Sequence, residues 1–165
     1  AEFALSQPSP EPLTKEQLEE IRENLIRPLT EDSAYTPRDF EDEVRKIMTE
    51  DVGFRRNEVN LEEAADKLTL LEKKETSMKA DNFHGLMRFY EAKNLRSVAH
   101  VVSRSALERK ESRGGGAHVR TDYPERDDKN SPYTLVVEKE KNSSKLKFDK
   151  IPTDIGIDVV KENEK

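Results

Sequence analysis

One stretch of this sequence leaves its architecture little freedom. From Asp81 to Ala106 there is no proline, and Phe83, Leu86, Met87, Tyr90, Leu95, Val98, Val101, Val102 and Ala106 recur at helical intervals. A helix of about 25 residues would run ~40 Å, longer than a small domain is thick. Its apolar residues fall on more than one side, which predicts a central helix with the others packed around it. Gly85 lies near its start, where a glycine costs a helix least. The three consecutive glycines Gly114, Gly115 and Gly116 then end any helix.

Shorter helices are expected upstream. Pro8, Pro10 and Pro12 make residues 1–13 an extended lead-in. Its start, Ala1-Glu2-Phe3, reads as a cloning remnant or the interior of a longer protein. Thr14 with Gln17 forms a capping box, Leu18, Ile21 and Leu25 follow at helical spacing, and Pro28 stops the run, predicting a helix over about 15–27. Thr36-Pro37 opens the next, with Phe40, Val44, Ile47 and Met48 on one face and Gly53 as its stop. Asn60 with Glu63 reads as a third start, followed by Leu61, Ala64, Ala65, Leu68 and Leu71, while the polar segment 72–80 is a frayed end or a loop.

Beyond the glycines the period changes to two. Tyr133, Leu135 and Val137 alternate with Thr134, Val136 and Glu138, Asn142-Ser143-Ser144 is a turn, and Leu146, Phe148 and Lys150 resume the alternation. That is a β-hairpin, marginal alone and therefore expected to lie on the helices or on another domain. The fold expected is mainly α: a bundle of three to four helices over 14–113 with one long central helix, then a polar loop and β-hairpin over 114–157. Residues 158–165 read as a disordered tail.

Composition excludes several function classes. With 39% charged residues, 33% hydrophobic ones and a net charge of −6, a general role in binding nucleic acid or anionic membranes is disfavoured. The absence of cysteine removes disulfides, thiol catalysis and cysteine-held metal clusters from this chain, and fits a cytoplasmic setting. No apolar run reaches the roughly 20 residues of a membrane span.

Residues 109–130 are unlike the rest. Arg109, Lys110, Arg113, Arg120, Arg126 and Lys129 stand against Glu111, Asp122, Glu125, Asp127 and Asp128, six cations facing five anions. Such balance suits a loop cross-linked by Arg–carboxylate forks, the competing reading being a solvated charged linker. His118, Arg120 and Arg126 are candidate anion contacts, with Glu111, Asp122 and Asp127 as their alternative structural partners. Asp127-Asp128 could hold a hard cation, but flanking Arg126 and Lys129 favour ion pairing. His84 and His100 lie sixteen residues apart on the long helix and cannot share a metal. No nucleophile elbow, P-loop or dinucleotide fingerprint occurs.

Arg109-Lys110-Glu111-Ser112-Arg113-Gly114, with Ala117-His118-Val119-Arg120-Thr121-Asp122-Tyr123-Pro124-Glu125-Arg126-Asp127-Asp128-Lys129-Asn130, resembles the C-terminal region of succinate dehydrogenase/fumarate reductase flavoprotein subunits. Met48 to Arg56 and Glu91 to Ala106 resemble helices of that family, so the likeness covers about residues 36–130. It implies a helical domain that supports an FAD-binding domain and docks an iron–sulfur subunit in succinate/fumarate electron transfer. It implies no catalytic, cofactor-binding or metal-ligating residue here. To Glu111, Ser112, Arg113, Gly114, His118, Arg120, Asp122, Arg126 and Asp127 it assigns a structural and docking role. The partners implied are the FAD domain and the iron–sulfur subunit, with no nucleic acid and no direct membrane insertion, in the cytoplasm or at the inner face of the cell membrane. L-Aspartate oxidases and adenylylsulfate reductase α subunits share the architecture, and a stand-alone helical interaction module is the alternative from another class. Two features depart from the family pattern. Three glycines stand where one is usual, and Ser131-Pro132 follows where an aromatic residue is common.

Overall fold

The computed structural model describes residues 11–114, 118–140 and 145–153. The expectations for the lead-in up to residue 10, for Gly115 and Gly116, for the turn at 142–144 and for the tail lie outside them. Among the described residues four α-helices precede a hairpin: α1 (Lys15–Ile26), α2 (Pro37–Ile47), α3 (Glu58–Glu72) and α4 (Phe83–Glu108), then β3 (Tyr133–Lys139) and β4 (Leu146–Pro152) paired antiparallel with Tyr133 opposite Pro152. Two short strands, β1 (Arg55–Arg56) and β2 (Val119–Arg120), pair in parallel between the α2–α3 connection and the charged loop.

The helix starts follow the local chemistry. Thr14 and Gln17 exchange their capping bonds at the head of α1, and Thr36 and Asp39 do the same for α2, with Pro37 in the first turn. Helix α3 begins earlier than Asn60 predicts. Asn57 is its cap, and the Asn57 side chain accepts the Asn60 N–H at 2.9 Å. An Asn at N3 is thus the capped residue rather than the cap.

Helix α2 does not run straight into Gly53. Met48–Val52 widen into a π turn, closed by the Gly53 N–H donating to the Met48 carbonyl at 2.8 Å. A β-carbon at Gly53 would sit 3.0 Å from the Thr49 carbonyl oxygen, so a larger residue would crowd that turn. The segment 72–80 is a loop beyond the end of α3, and an ordered one. A 3-10 turn at Glu75–Ser77 carries Met78 into the core, and the Lys79 and Ala80 N–H groups donate to the Tyr35 and Pro28 carbonyls.

Helices α2, α3 and α4 share one core of Phe40, Val44, Leu68, Leu71, Met78, Phe89, Ala92 and Ala99. A second cluster, Val52, Leu61, Ala64 and Ala106, fills the end nearest the charged loop. Buried charges are paired: Arg96 Nε donates to Glu75 at 2.7 Å, and Glu41 accepts from Arg45 and Arg88. The long helix is not wrapped, however. Its buried side chains, among them Leu86, Phe89, Ala92 and Ala99, face α2 and α3, while Phe83, Met87, Val98 and Val102 on other sides are exposed.

Candidate functional site

The charged loop closes the end of the bundle where α4 stops and α3 starts. Arg120 on β2 is fully buried. Its Nη1 donates to the Ala106 carbonyl at 2.8 Å and lies 3.3 Å from those of Leu107 and Arg109, the acceptors left open at the C-terminus of α4. Its Nε and Nη2 grip both oxygens of Asp122 at 2.8 and 2.7 Å. Asp122 Oδ2 in turn accepts the Glu58 N–H, the first of α3, at 2.8 Å. A cation therefore meets the negative end of one helix dipole and an anion the positive end of the other, joined as one ion pair. That pairing, opposed by burial and helped by the Glu58 N–H, holds the Asp122 carboxyl down at about 2.

Glu111 is the second centre, and it too is fully buried. It accepts from Arg113 Nε and Nη2 at 2.9 and 3.0 Å, from the Asp127 N–H at 3.0 Å and from Arg109 Nη1. Burial pushes its carboxyl up, yet the bonds from Arg113, the Asp127 N–H and Arg109 win and leave it below the ordinary value. Arg109 also donates to the Tyr133 carbonyl at 2.6 Å and stacks over the Tyr133 ring at 4.7 Å, tying the hairpin to the same carboxylate. Ser112 Oγ accepts the Arg120 N–H at 2.8 Å and donates to the Tyr123 carbonyl at 2.9 Å.

His118 is half-buried between two groups that settle its tautomer. Its Nε2 lies 3.0 Å from the Arg109 carbonyl and its Nδ1 3.2 Å from Arg56 Nη1. A carbonyl only accepts and a guanidinium only donates, so Nε2 carries the proton and Nδ1 the lone pair. Burial, with the charges of Arg56, Arg120 and Arg109, depresses its pKa against the opposing pull of the Arg109 carbonyl. Because the folded value lies below the unfolded 6.5, this contribution is intact above pH 6.5 and is lost as pH falls through the folded value. An NMR titration of the ring is expected to show the Nε2-protonated tautomer and a midpoint below 6.5. A midpoint above it would contradict the Arg56 contact.

The structure thus brings Glu111, Ser112, Arg113, His118, Arg120 and Asp122 together. Gly114, at φ 63°, takes the left-handed conformation as the chain turns away. Arg126 and Asp127 are farther out. Arg126 is exposed and pairs with Asp128, not Asp127, at 2.7 Å, and Arg113 reaches Asp128 at 3.0 Å. Asp127 instead organises its own turn, accepting the Asn130 N–H at 2.9 Å. Among the described residues no group of three acidic or histidine side chains is placed to hold a metal ion. Arg56, Arg109 and Glu58 complete the site and were not singled out by sequence; Arg109 lay in the charged stretch, but no spacing marks Arg56 or Glu58.

The arrangement binds helix ends to one another and offers no pairing of nucleophile and base. Nor does it fit FAD: among the described residues both sheets are two-stranded, and no strand–glycine turn–helix unit presents N–H groups to a pyrophosphate.

A family described as fumarate reductase flavoprotein C-term matches residues 41–163. The chain is 32% identical over 116 residues to a fumarate reductase flavoprotein subunit of Haemophilus influenzae, covering 67% of this chain and 19% of that protein. It is 40% identical over 84 residues to an uncharacterized FAD-dependent oxidoreductase of Methanocaldococcus jannaschii, covering 51% of this chain and 15% of that protein. Among solved structures, adenylylsulfate reductase from Archaeoglobus fulgidus superposes with a TM-score of 0.83 at 26% identity, over 92% of this chain and 27% of that one. The chain thus spans no more than about a fifth of the length of the two curated relatives (19% and 15%).

Proposed function

The chain belongs to the fumarate reductase flavoprotein C-term family, and on that premise we propose that it is the helical domain of an FAD-dependent succinate dehydrogenase/fumarate reductase flavoprotein subunit. In this reading FAD and the dicarboxylate are held by the rest of the subunit, and this domain supports the flavin-binding part and docks an iron–sulfur subunit that exchanges electrons with it. The observation that carries the reading is the loop. Of the residues that resemble the family motif, Glu111, Ser112, Arg113, His118, Arg120 and Asp122 spend their polar groups on closing the α3–α4 end, so their role is architectural. What the loop turns outward is a shallow hollow of mixed charge, with Lys110 and Arg126 beside Asp122, Glu125 and Asp127 around Tyr123 and Pro124, which suits a docking contact. No described helix is long and apolar enough to cross a membrane.

The likeness to adenylylsulfate reductase favours a second reading, in which the same domain serves a subunit acting on adenylylsulfate. One experiment separates them. The whole flavoprotein, purified and assayed with fumarate, succinate, aspartate and adenylylsulfate, is expected to retain FAD and to interconvert succinate and fumarate. Turnover of adenylylsulfate or aspartate alone, or a protein without flavin, would overturn the first reading. The 165-residue chain by itself is expected to bind no flavin and to show no turnover. Arg113→Ala in the whole protein should weaken subunit assembly more than flavin retention.

A further inference from the structure

The hairpin is fastened at its base and undercut at its tip. At the base, Arg109 holds the Tyr133 carbonyl and ring, and the Thr153 N–H donates to the Pro132 carbonyl at 2.9 Å. From there the two seven-residue strands, ~23 Å long, run back along α4. Their far end, Lys139 opposite Leu146, comes to lie over the stretch of that helix from Arg96 to Arg104. Two clefts of about 270 and 450 Å³ undercut this end, and His100 and Leu146 line both.

His100 is half-buried there, and among the described residues its ring makes no hydrogen bond. Charged groups face it from every element around it. Arg96 and Arg104 stand one turn away on either side along α4, Glu72 and Asp66 on α3, Lys139 and Glu140 at the end of β3, and Lys145 just before β4. Asp66, Lys139, Glu140 and Lys145 are exposed and balance in sign, so Arg96, Arg104 and Glu72 decide. Glu72 already meets Arg96 Nη2 at 3.4 Å, whereas Arg104 has no ion pair among the described residues. A proton on His100 would therefore make a third positive charge in one row along the helix, an arrangement that repels. Burial first, then Arg96 and Arg104, lower the ring's pKa from its ordinary 6.5 against the pull of Glu72.

We infer that the hairpin tip is a pH-operated flap: protonation of His100 lifts Lys139 and Leu146 off α4 while the base stays fastened. With the tip down, the ring resists the proton. With the tip lifted, it returns to water and to its ordinary value, so falling pH favours the lifted state. The hold on the tip is whole above pH 6.5 and is lost as pH falls through the lower, folded value. The base does not share this sensitivity, because Glu111, which anchors Arg109, keeps its charge below the ordinary carboxylate value. A lifted tip bares Val101, Val137 and Leu146. Two strands without a supporting face are marginal in water, so the lifted end frays.

Amide exchange of the whole flavoprotein tests this, followed by mass spectrometry at pH 7.5 and 5.5 and corrected for the intrinsic pH dependence of exchange. Residues 136–139 and 146–148 are expected to exchange about threefold faster or more at pH 5.5, with residues 133–134 and 152–153 unchanged. His100→Gln, whose amide does not take the proton, is expected to show no acceleration. Arg104→Gln relieves the crowding from a half-buried position, keeps the ring, and is expected to show less acceleration than the parent; it carries the test if His100→Gln does not fold. Equal corrected exchange at the two pH values would overturn the inference. So would acceleration that persists in His100→Gln or survives in full in Arg104→Gln. Acceleration centred on the base would place the sensitive group at His118, and would likewise overturn it.

Discussion

Arg120→Met is expected to cost about 3 kcal/mol of stability and to lower the unfolding midpoint by about 6–12 °C for a chain of this size. Methionine keeps much of the length and apolar stem of arginine, so little of the loss would come from a cavity. What disappears is the donor set. The Ala106 and Leu107 carbonyls lose their partner at the end of α4, the Arg109 carbonyl is left with His118 alone, and Asp122 loses its fork. The pH dependence should change as well. Asp122 is held at about 2, below its ordinary 3.8, so its contribution is present above pH 3.8 and fades as pH falls toward 2. Arg120→Met removes most of that acid limb. Urea unfolding at pH 7 and at steps down to pH 2 checks both effects, and a variant matching the parent at pH 7 would show that the clamp carries no net stability.

Glu111→Ala is the second large effect, at about 3–5 kcal/mol. It strips a buried anion from between Arg109 and Arg113 and releases the Asp127 N–H, leaving guanidinium charge in a place shielded from water. The damage should spread along Arg109 to the hairpin, whose Tyr133 carbonyl and ring that residue engages. Amide exchange in β3 and β4 is therefore expected to accelerate far more than exchange in the α2–α4 core. A double-mutant cycle with Arg113→Ala should depart from additivity by about 0.5–3 kcal/mol. Additive losses, or hairpin amides as protected as in the parent, would break the proposed link from carboxylate to hairpin.

Much of the helical half was legible because helix ends are written locally. Thr14, Thr36 and Pro37 act within four residues of themselves, and capping depends on little else. Asn60 misled for the same local reason: it shares the cap chemistry of Asn57, and only the run of the α2–α3 connection selects between them. The π turn at Met48–Val52 leaves no mark in hydrophobic spacing. Met78 looked like part of a polar segment because its burial comes from contacts with distant helices. Apolar residues on several sides of α4 predict a helix with others packed around it, yet Phe83, Met87, Val98 and Val102 are exposed, because sequence cannot tell a face covered by this chain from one left bare. At the site, the charge balance of 109–130 pointed correctly to Arg–carboxylate cross-links. Which cation meets which anion was not readable, since Arg120 to Asp122 and Arg126 to Asp128 share one spacing and differ completely in burial.

The clamp also sets an order of events during synthesis. Helices α3 and α4 are complete in sequence at Glu108, yet the groups that join their ends, Arg120 and Asp122, come later. At translation rates of roughly 5–20 residues per second, the ribosome exposes two long helices a second or so before it supplies their lock. In that interval the last carbonyls of α4 can turn only to water. A pause that holds the chain after α4 has left the ribosome and before Arg120 and Asp122 have would prolong the unlocked state.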